Sequence, residues 1–135
     1  MSKKNFSFEI ISQNEKARLG KIKTPKGFID TPCFMPVGTL GTVKGVFLDD
    51  LLNTGTQIIL GNTYHLMIRP GIDILEKFNG LHNFINWQKP ILTDSGGFQI
   101  FSLSKQRKIT REGAHFKSHL DGQPFLFTPE LAVEI

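Results

Sequence analysis

Cysteine is nearly absent from this chain: Cys33 is the only one in 135 residues. A single cysteine forms no internal disulfide framework and no multi-cysteine zinc site, and it suits a reducing cytosol. Long apolar runs are also missing, none exceeding three residues, as in Ile58-Ile59-Leu60, so a membrane-spanning helix is excluded. Met1-Ser2-Lys3-Lys4 is basic, but no apolar stretch follows it, which argues against a secretory signal. Repeats, low-complexity segments and linkers are lacking as well. What remains has the make-up of a globular protein, with 39% apolar and 21% charged residues. Its length suits one ordinary domain. Sixteen Lys+Arg against 12 Asp+Glu give a net charge of +4. That balance points toward a polyanionic partner without identifying one.

The hydrophobic rhythm changes along the chain. Phe6, Phe8 and Ile10 alternate with polar residues and predict a half-buried strand, and Ala17 to Lys23 reads as its return. Thr24-Pro25-Lys26-Gly27 has turn chemistry, so the opening is an antiparallel hairpin or meander. Three short apolar strands then alternate with helical spacing. They are Cys33-Phe34-Met35, Ile58-Ile59-Leu60 and Pro90-Ile91-Leu92-Thr93, with helices predicted over Phe47 to Asn53 and around Ile72, Leu75 and Phe78. This order predicts consecutive βαβ units and a parallel sheet, an α/β fold. After Asp94 the pattern loses regularity. Ala114 to Leu120 and Pro124 to Phe127 flank a hairpin signal, Asp121-Gly122. Thr128-Pro129-Glu130 opens a helix with a hydroxyl cap, proline at its first position and an acid in its first turn.

The sharpest motif is Asp94-Ser95-Gly96-Gly97-Phe98-Gln99. A carboxylate at the C-terminal end of a buried parallel strand sits where α/β sheets place their chemistry. The glycines let backbone amides approach a ligand closely, Phe98 offers a flat stacking surface, and Gln99 can both donate and accept. A flat, nitrogen-rich substrate beside an acid/base carboxylate fits this set. A tight strand-exit turn in which Asp94 caps backbone amides fits the pattern too. Asp-Ser-Gly-Gly also surrounds the nucleophilic serine of chymotrypsin-like proteases, but a βαβ chain with one cysteine argues against that reading.

Gly61-Asn62-Thr63-Tyr64-His65 leaves the second strand toward the same rim. There Asn62 is placed either to orient Asp94 or to form an Asx turn. His65, His82, His115 and His119 have no metal-site spacing. The loop from Pro36 to Lys44 is rich in glycine and threonine but lacks the full phosphate-loop pattern. Lys105, Arg107, Lys108 and Arg111 form a basic cluster suited to a nucleic-acid backbone or to a solvated loop.

Three long runs carry a family resemblance: Thr31 to Thr39, Ile58 to Leu66, and Pro90 to Gln99. Together with Arg69-Pro70-Gly71, Leu81 to Phe84, Trp87, Lys108-Ile109-Thr110 and Glu112-Gly113, they resemble bacterial-type tRNA-guanine transglycosylases. The likeness runs in order from about Phe6 to Ile135. It implies the N-terminal portion of a modified (β/α)8 TIM barrel, preceded by the antiparallel meander. Residues 1–135 would then be one incomplete domain, with antiparallel strands over about 6–30 and the first βα units over about 31–135. Such enzymes exchange the wobble guanine of tRNAs with a GUN anticodon for a 7-deazaguanine on the route to queuosine. The incoming base is preQ1 in bacteria and queuine in eukaryotes.

By this resemblance Asp94 is the general acid/base, and Asp94, Ser95, Gly96, Gly97 and Phe98 line the base pocket, with Phe98 stacking on the heterocycle. Asn62 steadies Asp94, and Val37 and Leu60 form pocket wall. The resemblance also implies a cytoplasmic homodimer with a structural zinc. Its nucleophilic aspartate, further guanine-recognition residues and Cys3His zinc ligands lie C-terminal to the matched stretch, so neither nucleophile nor metal ligand is expected within 1–135. A (β/α)8 barrel needs eight strands and about 250 residues. The sequence therefore reads as cut after Thr128 begins a helix, and the chain alone is expected to be inactive or unstable. The alternative is a non-catalytic tRNA-binding or assembly fragment.

Overall fold

A computed structural model describes residues 5–103, 107–118 and 120–135. Three small sheets follow one another along the chain. The first is an antiparallel meander of β1 (Ser7–Asn14), β2 (Ala17–Thr24) and β3 (Gly27–Thr31). Its register sets Phe8, Ile22 and Ile29 side by side on one face. Ile29 is buried, but every residue of β1 is exposed, Phe8 and Ile10 being 53% and 46% accessible. The half-buried strand expected from the alternation is thus corrected. As the outer strand of three, β1 has no layer over its apolar side chains among the described residues.

The second sheet is parallel, with β4 (Val37–Gly38), β5 (Ile59–Gly61) and β6 (Ile91–Thr93) in chain order. The first of these strands was expected at Cys33–Met35. It lies further along, because the ladder to β5 opens only where Leu60 N–H donates to the Pro36 carbonyl. Phe34 is 82% exposed, and Cys33 is exposed as well. The helix α1 (Leu48–Asn53) joins β4 to β5, ending at Thr54 with Gly55 at φ +77°. Between β5 and β6 run α2 (Thr63–Leu66), a wide turn at Met67–Gly71, α3 (Ile72–Lys77) and α4 (Leu81–Phe84).

The chain turns sharply after α3. Asn79 takes the left-handed conformation at φ +56°, and Gly80 caps the next helix. Leu51, Ile59 and Trp87 form the core beneath this sheet, the Trp87 indole donating to the Pro90 carbonyl at 2.9 Å.

After β6 comes α5 (Gly97–Ser102), a helix that two glycines and two exposed phenylalanines conceal from periodicity. The third sheet is antiparallel, formed by β7 (Arg107–Ile109), β8 (Ala114–Lys117) and β9 (Pro124–Phe127), and α6 (Pro129–Glu134) follows it. Its core joins Tyr64 to Ala114, Phe116 and Phe127, so α2 is packed against the third sheet. Gly96 belongs to the same contact. A Cβ there would meet the Phe127 ring at 2.8 Å, and its φ of +72° suits glycine. No helix among the described residues is long and apolar enough to cross a membrane.

Candidate active site

Asp94 lies one residue beyond β6, where its N–H still donates to the Gly61 carbonyl at 3.1 Å. Three donors hold its carboxylate. Asn62 Nδ2 donates to Oδ2 at 2.7 Å, while the backbone N–H groups of Thr63 and Gly96 donate to Oδ1 at 2.9 and 3.1 Å. The Thr63 hydroxyl donates to the Asp94 carbonyl. Asn62 and Thr63 are both buried. Asn62 precedes α2, yet its side chain makes no cap to that helix. Its amide crosses to the neighbouring strand end, and that favours the orienting role over the Asx turn. Asp94 accepts from backbone amides, as the strand-exit turn predicts, and it does so at the rim of the parallel sheet. Of the three bonds to its carboxylate, Oδ1 accepts two and Oδ2 one, so Oδ2 keeps a lone pair with which to meet a proton on a ligand.

Beside it lies a cleft of about 840 Å³. Asp94, Ser95 and Gly97 form one wall, and the turn Thr110–Gly113 with Thr128 and Pro129 forms the other. Val37, Leu60, Asn62, Gly96 and Phe98 lie outside this lining, although Gly96 bonds to Asp94 through its N–H. Phe98 is 72% exposed on α5. Val37 and Leu60 are neighbours across β4 and β5, and Leu92 continues their row across β6. That row forms a partly open apolar face, while the intervening Ile59 is buried beneath.

Sequence reasoning missed Thr63 and the Thr110–Gly113 turn as parts of the site. Thr63 was available as a polar residue directly after Asn62. The turn shows in the sequence only as charge and as part of the family resemblance, neither of which places it beside Asp94. The basic cluster divides: Arg107 Nε donates to the Ile100 carbonyl, Arg111 lines the cleft, and Lys105 lies outside the described residues.

Ser95 Oγ accepts from Gly97 N–H at 3.3 Å, and among the described residues no imidazole bonds to it, so no serine triad is assembled. His82 bonds the Lys89 carbonyl at 3.1 Å and His115 meets the Thr110 hydroxyl at 3.3 Å, both in structural roles. His65 packs edge-on against Tyr64. His119 lies outside the described residues. In the glycine-threonine loop a Cβ on Gly41 would strike Ile85 at 2.7 Å, so close packing against that side chain accounts for glycine there. Among the described residues no three His, Cys, Asp or Glu side chains converge, so they do not fit a Cys3His zinc centre.

A family model for queuine tRNA-ribosyltransferase matches residues 13–135. The queuine tRNA-ribosyltransferase of Halothermothrix orenii is 58% identical over 133 residues, covering 97% of this chain and 36% of the relative. That of Rhizobium meliloti is 53% identical, covering 96% of this chain and 35% of its own length. The Rickettsia bellii protein is 58% identical over 130 residues, with 96% and 36% covered. The chain thus spans about a third of the length of the curated relatives it matches.

Proposed function

The chain belongs to the queuine tRNA-ribosyltransferase family, and we propose that it contributes the Asp94 side of a site that exchanges the wobble guanine of GUN-anticodon tRNA for a 7-deazaguanine such as preQ1. The observation that carries this is Asp94 itself: a carboxylate held by Asn62, Thr63 and Gly96 at a parallel strand end and facing a cleft. In the exchange, an aspartate from outside the matched stretch attacks the ribose anomeric carbon, and the bond to guanine breaks. The departing guanine takes up a proton and the incoming base gives one up, so one carboxyl group returned to its starting state serves both steps. Asp94 is assigned to that proton.

The target base must leave its stack to be reached, and exposed Phe98 is assigned as the platform it stacks on. Val37 and Leu60 are assigned to the pocket wall, on a row that would face the interior of a closed barrel. The resemblance further supports a cytoplasmic homodimer for the whole protein.

To test the reading, residues 1–135 replace the corresponding stretch of the Halothermothrix orenii relative, and guanine exchange into tRNA is measured. Exchange is expected, and Asp94→Asn is expected to abolish it while leaving tRNA binding nearly intact. A hybrid whose exchange survives Asp94→Asn would overturn the assignment. Three parallel strands do not close a barrel, which favours a second reading for the 135-residue chain by itself. It is expected to bind tRNA without exchanging its base.

A further inference from the structure

The carboxylates of Asp94 and Glu112 both line the 840 Å³ cleft, an unfavourable setting for the phosphates of an RNA strand. Arg111 is the one cation lining it among the described residues. The other described members of the basic cluster are held elsewhere: on β7, Lys108 takes the face opposite cleft-lining Ile109, and Arg107, on the same face as Ile109, is tied by its Nε to the Ile100 carbonyl. Arg111 sits with Glu112 at the two-residue tip of the β7–β8 hairpin.

That tip is fixed. Thr110 N–H and its hydroxyl donate to the Gly113 carbonyl at 2.9 and 3.3 Å. Gly113 has φ +151°, and any Cβ on it would lie 2.6 Å from the Phe127 carbonyl oxygen. The Arg111 guanidinium is exposed and makes no ion pair or hydrogen bond with the described residues. A rigid support therefore presents an uncommitted guanidinium, whose fork of donors matches a phosphate, at the mouth of the Asp94 cleft.

We infer that Arg111 anchors a phosphodiester directly flanking the nucleotide brought to Asp94, an inference that rests on the tRNA reading above. It offsets the repulsion of the two carboxylates and fixes the strand's register, leaving the base free to turn inward.

The test uses the 135-residue chain and an anticodon stem-loop RNA, with an uncharged methylphosphonate at either linkage flanking the wobble guanosine. One of the two methylphosphonates should weaken binding to the unsubstituted chain by roughly 3- to 10-fold at low salt. Arg111→Ala and Arg111→Gln should each weaken binding of the natural RNA to a similar degree and lower the salt-dependence slope by about one. Both variants should then be indifferent to that methylphosphonate. If the variants keep full affinity, or still respond to the methylphosphonate as the parent does, Arg111 is not the anchor. If the unsubstituted chain binds the RNA but neither methylphosphonate weakens it, the anchor is likewise excluded while the tRNA reading stands. Failure of the unsubstituted chain to bind the RNA at all would overturn the tRNA reading for this chain, and the anchor with it.

Discussion

Asp94 takes three hydrogen bonds from two chain segments that lie 31 residues or more apart in one case and two apart in the other. The local bond, to Gly96, was legible in the sequence as a strand-exit turn. The distant ones, to Asn62 and Thr63, depend on β5 and β6 being paired in register, Gly61 opposite Thr93. Phe98 gives the residue scale its test. A side chain 72% exposed contributes little to stability, so Phe98→Ala should leave unfolding by denaturant within about 0.5 kcal/mol of the parent. If it is the stacking platform, the same change in the hybrid enzyme should weaken base binding by about 1–3 kcal/mol in titration. A loss of stability with unchanged base affinity would make it a packing residue instead.

Elements with capping or turn chemistry were read well from sequence. Thr128 caps α6 as expected, its hydroxyl accepting from Leu131 N–H at 3.1 Å with Pro129 in the first turn. Thr128→Ala is expected to lower stability by about 1 kcal/mol, measured by urea denaturation, while Thr128→Ser recovers most of it. The hairpin between β8 and β9 also follows its signal, with Gly122 at φ +75° and Ser118 N–H donating to the Gln123 carbonyl at 2.8 Å. The elements that were misread had no such marker. Cys33-Phe34-Met35 is apolar and short, but a strand exists only where a partner's amides meet it, and that begins at Pro36. The helix α5 turns Phe98 and Phe101 outward, which inverts the pattern by which an amphipathic helix is recognised.

Across the whole molecule, packing sets one measurable pH response. Burial holds the His82 imidazole below its ordinary value of 6.5, and the Lys26 charge pushes the same way, against the hydrogen bond to the Lys89 carbonyl. The folded state therefore prefers the neutral ring. Its contribution is complete above pH 6.5 and is lost as pH falls from there toward the lower folded value. The urea midpoint should drop between pH 7.5 and 5.5, and His82→Gln should make that drop smaller; an equal drop would assign it to other groups. Sequence by itself determined the family, the α/β order, the turn and cap positions and the Asp94 motif, because these rest on local backbone preference and on short runs of adjacent residues. Tertiary structure decided between the two readings of Asn62, brought Thr63 to Asp94, set Arg111 rather than Arg107 in the cleft lining, and left the apolar side of β1 uncovered among the described residues. Each of those outcomes depends on which strand stands beside which, and in what register, and neither is written in the spacing of neighbouring residues.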